Sequence, residues 1–125
     1  MNATSMAHRA YAPDKTSIRT LRGTEYEVIA RITHRLKTAA ENPVTDFAGL
    51  VAALHENRSL WTVLATDVAN PENALSPELR AQIFYLAEFT NQHTSKVLAS
   101  IATPAPLLEI NTAILRGLKQ RGDPS

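Results

Sequence analysis

Residues 57–80 restrict the possible folds more than any other part of this chain. They read Asn57-Arg58-Ser59-Leu60-Trp61, then Asp67, then Asn70-Pro71-Glu72-Asn73-Ala74-Leu75-Ser76-Pro77-Glu78-Leu79-Arg80. Asn70-Pro71-Glu72-Asn73 must be a loop, because proline lacks a donor and pushes the residue before it out of the α region. Ser76-Pro77-Glu78 then starts a helix, with an N-cap, a proline at the first helical position and an acid in the first turn. Helical apolar spacing flanks the loop on both sides, which predicts two long helices folded back on each other.

The helix before the loop is expected to start at the Thr45-Asp46 cap and run to about residue 69, with Phe47, Leu50, Val51, Leu54, Trp61, Leu64 and Val68 on its apolar stripe. The helix after the loop is expected to reach about residue 100, with Leu79, Ile83, Leu86, Thr90, His93, Val97 and Ile101 on one face. Phe84 falls almost opposite that face, beside Glu88, Asn91 and Ser95, and is the best candidate for an exposed aromatic. Upstream, Leu21, Val28, Ile29, Ile32, Leu36, Ala39 and Ala40 predict a helix from residue 18 or 21 to residue 41, stopped by Asn42-Pro43. Downstream, Thr103-Pro104-Ala105-Pro106 breaks the chain before a shorter helix over about 106–119, whose Leu107, Leu108, Ile110, Ile114, Leu115 and Leu118 cover nearly half its circumference. No alternating strand pattern and no repeat interrupts this series. The expected fold is therefore all-α: a small bundle of three long helices and a shorter C-terminal one.

A chain of 125 residues suits one domain. Residues 1–16 lack periodicity and read as a flexible N-terminal arm, residues 17–120 as a single helical domain, and residues 121–125 as a disordered tail. Tyr11 is the arm's one sticky residue, either free in the arm or docked by its ring against the bundle. There is no Cys, so disulfides and thiolate metal sites are excluded, and neither a leader nor a membrane span is visible. These features fit a cytoplasmic chain. Net charge is +1 but uneven: residues 1–41 carry seven Lys or Arg against four acids, and residues 42–100 carry three against six. That polarity falls short of the basic stripe of a dedicated nucleic-acid binder.

Reaction chemistry is hard to find. His8, His34, His55 and His93 fall on the arm and on three different helices, with no i, i+4 pairing that would build half a metal site. There is no phosphate-cradling glycine loop and no nucleophile elbow, and the carboxylates are scattered. No catalytic residue, metal or cofactor is expected, and the chain does not read as an enzyme. Four polar residues stand out instead. Asn57 sits in mid-stripe one turn before Trp61, either as a core amide that sets helix register or as a ligand contact. Arg58, at the edge of that stripe, could reach Glu25 or stay in solvent. Glu25 itself falls on the apolar side of the first helix, in a frayed first turn or buried against a partner. Asp67 lies near a helix C-terminus, where the dipole disfavours an acid; compensation is expected from the loop of residues 70–74 or from Arg80.

With those residues in place, the chain resembles the FlaF family of alphaproteobacterial flagellar biosynthesis regulators. The most specific part is Asn57, Leu60-Trp61, Asp67, Asn73-Ala74-Leu75, Leu79-Arg80-Ala81-Gln82-Ile83 and His93-Thr94, supported by Ala10-Tyr11, Thr24-Glu25, Ile110-Asn111 and Gly117-Leu118. Ser17-Ile18-Arg19 stands where the family often has Ser-Pro-Arg, which leaves the start of the first helix less defined. The resemblance implies a small helical protein needed for flagellin synthesis and export. The same resemblance implies that it would act with FlbT, a partner regulator associated with the flagellin message, and would hold flagellin before export as a type III secretion chaperone does. Leu60, Val63, Phe84, Leu108 and Leu115 are the candidate partner contacts, although ordinary packing also explains each of them taken singly. The alternative is post-transcriptional control through FlbT or the flagellin mRNA, for which the basic residues Arg31, Arg35 and Lys37 are the only support. Direct nucleic-acid binding is not expected. A homodimer through the wide apolar face of the last helix is a third reading.

Overall fold

The computed structural model describes residues 26–122, which form four helices in sequence: α1 (Tyr26–Ala40), α2 (Phe47–Ala69), α3 (Pro77–Leu98) and α4 (Ala105–Gly122). The expectations for the arm with Tyr11, and for the start of the first helix with Glu25, lie outside the described residues. The main packing pairs are α1 with α2, α2 with α3 and α1 with α4; α3 meets α4 more lightly. This all-α bundle is the architecture that the apolar spacing predicts.

Local chemistry accounts for each helix boundary. The Asp46 carboxylate accepts a hydrogen bond from the Gly49 N–H at 3.0 Å and caps α2. A Cβ at Gly49 would collide with that carboxylate, so glycine lets the cap fold over the first turn. Ser76 caps α3 in the same way, accepting from the Leu79 N–H at 3.2 Å, with Pro77 in the first turn. Between them the corner satisfies itself. The side-chain oxygens of Asn70 and Asn73 accept from the backbone N–H groups of Glu72 and Leu75, at 2.9 and 3.0 Å. Carbonyls at the end of α2 are also served by side chains: Asn73 Nδ2 donates to the Asp67 carbonyl at 3.1 Å, which also accepts from the Asn70 N–H at 3.3 Å, and Arg80 Nε donates to the Val68 carbonyl at 2.9 Å. The loop does engage Asp67, through its backbone carbonyl, while the Arg80 Nε bond goes to the next residue's carbonyl.

The end of α3 corrects one expectation. The helix stops at Leu98, and Ser100 adopts a positive φ of 63°. The Ile101 N–H then bonds the Lys96 carbonyl at 3.0 Å and the Ser100 N–H bonds the Val97 carbonyl at 2.9 Å, the pairing of a Schellman turn. Ile101 is thereby turned off the apolar face and stands 74% exposed. Ser100 holds a conformation that costs an L-residue about 1–2 kcal/mol, more than the roughly 0.5–1 kcal/mol of extra chain entropy that glycine loses on folding. Ser100→Gly is therefore expected to raise stability by about 0.5–1 kcal/mol, seen as a Tm higher by a few degrees in a thermal melt. A lower Tm would show that the serine side chain matters more than the backbone strain.

Phe47 and Val51 also leave the expected stripe, at 45% and 36% exposure. The buried side of α2 follows Leu50, Asn57, Leu64 and Val68, and at about 100° per residue Val51 falls well round from that line. At the other terminus, α4 extends to Gly122, into the stretch expected to be tail.

The core is divided into two apolar clusters with a polar layer between them. Ile29, Ile32, Leu60, Trp61, Leu64 and Ala87 form one cluster; Leu36, Leu50, Ala53, Leu54, Val97 and Leu107 form the other. Along each helix the residue separating the two is polar: Thr33 in α1, Asn57 in α2, Thr90 and Thr94 in α3, Asn111 in α4. Asn111 is the hub. Its Oδ1 accepts from Trp61 Nε1 at 2.9 Å, and its Nδ2 donates to Asn57 Oδ1 at 2.8 Å and to Thr33 Oγ1 at 3.1 Å. Thr33 and Thr94 pass their own hydroxyl protons to the carbonyls of Ile29 and Thr90, both at 2.6 Å. Buried amides tolerate few arrangements that satisfy them, so this layer sets the height at which α4 docks.

Candidate functional site

A shallow groove of about 420 Å³ runs along the outer seam between α2 and α3. From α2 it is lined by Arg58, Trp61, Thr62, Ala65, Thr66 and Ala69, a single stripe at helical spacing; from α3 by Phe84, Ala87, Glu88 and Asn91. The small residues Ala65, Ala69 and Ala87 make the floor low, and Phe84, 43% exposed, stands as one wall. The Thr62 and Thr66 hydroxyls donate back to the carbonyls of Arg58 and Thr62, at 3.0 and 2.9 Å, which commits both hydroxyl donors to the backbone of α2. Arg58 closes one end. Its Nη2 donates to the Asn91 carbonyl and to Ser95 Oγ, each at 2.6 Å, and so staples α2 to α3.

A second depression, of about 800 Å³, lies between α1 and α2. Its lining is more polar than the groove's, with His34, Arg35, Asn42, Asp46, His55 and Glu56 beside Ala39, Ala52 and Ala53, and an Arg35–Glu56 ion pair at 2.8 Å bridges the two helices. Both groups are partly exposed, so the pair contributes at most about 1 kcal/mol. Among the described residues no three His, Asp or Glu side chains gather as metal ligands. No helix of the described residues is long and apolar enough to cross a membrane.

Of the five candidate contacts, only Phe84 lines the groove. Val63 is 51% exposed but lies off the lining. Leu60 belongs to the core cluster with Trp61, because one position along α2 turns it about 100° away from Trp61, off the side of α2 that lines the groove. Leu108 and Leu115 are half-buried and cover the two core clusters. The groove's alanines and threonines escaped sequence reading, since small residues on a helix look like ordinary packing. Asn111 was legible in principle: it occupies the apolar stripe one turn after Leu107, as Asn57 does one turn before Trp61.

The distinctive residues are therefore chiefly architectural. Asn57 and Trp61 belong to the polar layer, Arg58 is the α2–α3 staple, and Asp67, Asn73 and Arg80 build the corner. Asn57 Nδ2 and Arg58 Nε are buried without a protein partner among the described residues. No curated protein and no solved structure matches the chain. One family profile, described as flagellar protein FlaF, matches residues 7–118, a span that takes in the corner, the polar layer and the groove together. On that match over most of its length, the chain belongs to the FlaF family of flagellar proteins.

Proposed function

We propose that this protein is a non-enzymatic, flagellin-binding secretion chaperone and regulator, which lays an amphipathic terminal helix of unpolymerised flagellin into the α2–α3 groove. The observation that carries the reading is the groove itself, open, floored by alanine and walled by an exposed phenylalanine. A helix laid in such a groove buries its apolar face on low ground and keeps its polar face in water. The family membership supplies the flagellar setting. Leu107, Leu108, Ile110, Ile114 and Leu115 of α4 are packed onto the bundle's own core, which leaves less apolar surface for a twin. Arg35 is paired with Glu56, which thins the basic face that an mRNA-binding reading would use.

Co-expression with full-length flagellin, and with flagellin lacking its terminal helices, tests the proposal. A soluble stoichiometric complex is expected with the first and not with the second; no complex with either would overturn it. Phe84→Glu should weaken the complex by roughly 30-fold, the effect of losing one strong anchor of about 2 kcal/mol. Because Phe84 is already 43% exposed, the variant's own Tm should barely move. Steep loss of binding with added salt would point instead to a nucleic-acid partner.

A further inference from the structure

We propose that the segment ahead of α1 occupies the α2–α3 groove in the free protein, so that a partner helix must displace it. The contact stands on its own; only the displacement rests on the flagellin-binding reading. Four observations select this occupant.

First, the chain leaves the described bundle at the right end. Ile29 and Ile32, in the first turns of α1, share a core cluster with Leu60, Trp61, Leu64 and Ala87, and Trp61 and Ala87 also line the groove. Second, the length suffices. Residues 7–25 span up to roughly 60 Å when extended, whereas the groove follows α2 from Arg58 to Ala69, about 16 Å.

Third, the charges are complementary. Residues 1–25 carry Arg9, Lys15, Arg19 and Arg22 against Asp14 and Glu25. On the α2–α3 side Glu88 lines the groove and Glu72 and Glu78 stand exposed at the corner, while Arg58 and Arg80 are engaged with the carbonyls of Asn91 and Val68. The same segment supplies apolar residues for a floor of alanines: Tyr11, Ile18 and Leu21. Fourth, the family match begins at residue 7, well ahead of α1, so what marks the family includes this segment along with the bundle that bears the groove.

The chain has no cysteine, which makes the test direct. In the full-length protein, Ala10→Cys carries a nitroxide, and amide signals are compared before and after the label is reduced. The amides of Ala65, Ala69, Phe84 and Ala87 are expected to lose most of their intensity, while those of Ala39 and Ala52, beside the polar depression, keep theirs. Adding Glu88→Lys should restore much of the lost groove signal. Unchanged groove amides, or broadening confined to another face, would overturn the proposal. So would groove broadening that also appears when unlabelled isotopic protein is mixed with nitroxide-bearing protein, since a second copy would then be the occupant. Soluble flagellin, added last, should return the groove signals. Groove broadening without any flagellin complex would sink only the functional reading, and a flagellin complex without groove broadening only this one.

Discussion

Replacing Trp61 by alanine is expected to destabilise the protein by about 3–5 kcal/mol, against a total of roughly 5–15 kcal/mol for a domain of this size. Trp61 is 1% exposed, its ring lies in the apolar cluster with Ile29, Ile32, Leu60, Leu64 and Ala87, and its Nε1 is a donor to the Asn111 hub. Truncation would leave a cavity at the meeting of all four helices and strip one donor from Asn111. Trp61→Phe separates the two losses: most of the ring volume stays, and only the donor to Asn111 Oδ1 goes, at about 1–3 kcal/mol. Urea unfolding followed by far-UV circular dichroism measures both variants, since neither retains a tryptophan. Equal costs for the two would mean that the hydrogen bond, not the packing, accounts for the effect.

Asn111→Ala is expected to cost almost as much, although it removes a polar side chain from a helix that comes last in the chain. It leaves Trp61 Nε1 without its acceptor and Asn57 Oδ1 without its donor, both buried, at about 1–3 kcal/mol each. Asn57 is already without a protein partner at Nδ2, so the variant would leave that side chain with none of the described bonds. Asn111→Leu would restore volume but not the bonds and should rescue little. Asn111→Asp gives a pH signature. A carboxylate there keeps an acceptor for Trp61 but faces Asn57 Oδ1 in a buried layer, which raises its pKa above the unfolded value of about 3.9. The penalty is then absent below about pH 4, where the carboxyl is protonated in both states, and grows as pH rises through that value. Stability of this variant falling with decreasing pH, relative to the parent, would refute the burial of the site.

Much of the fold was readable because its signals are local. Asp46, the Asn70-to-Asn73 loop and Ser76-Pro77 each act on backbone groups within a few residues, so the boundaries of α2 and the start of α3 follow from covalent neighbours. Helical spacing likewise placed Trp61 inside and Phe84 outside. The misses share a cause. Ile101 was assigned to a face that the positive φ of Ser100 terminates, and serine carries no signal for that conformation as glycine would. Leu60 and Val63 look alike in sequence, but the helices packed on either side of α2 bury the first and leave the second in water. Arg58 had two expected destinations, Glu25 and solvent; the distance between α2 and α3 supplied a third, the Asn91 carbonyl and Ser95 Oγ.

The sequence by itself determined that the chain is helical, where α2 and α3 turn, and that it belongs with the FlaF proteins, because capping, proline geometry and apolar period are properties of short stretches. Only the tertiary structure decided which polar residues would meet and which small ones would line a surface. Thr33, Asn57, Trp61 and Asn111 form a single hydrogen-bonded layer, although Thr33 and Asn111 lie at opposite ends of the described chain. Ala65, Ala69 and Ala87 become a groove floor only once α2 and α3 lie side by side. Hydrogen-bond partners and surface relief depend on distances between helices, and those are fixed by how the whole core packs.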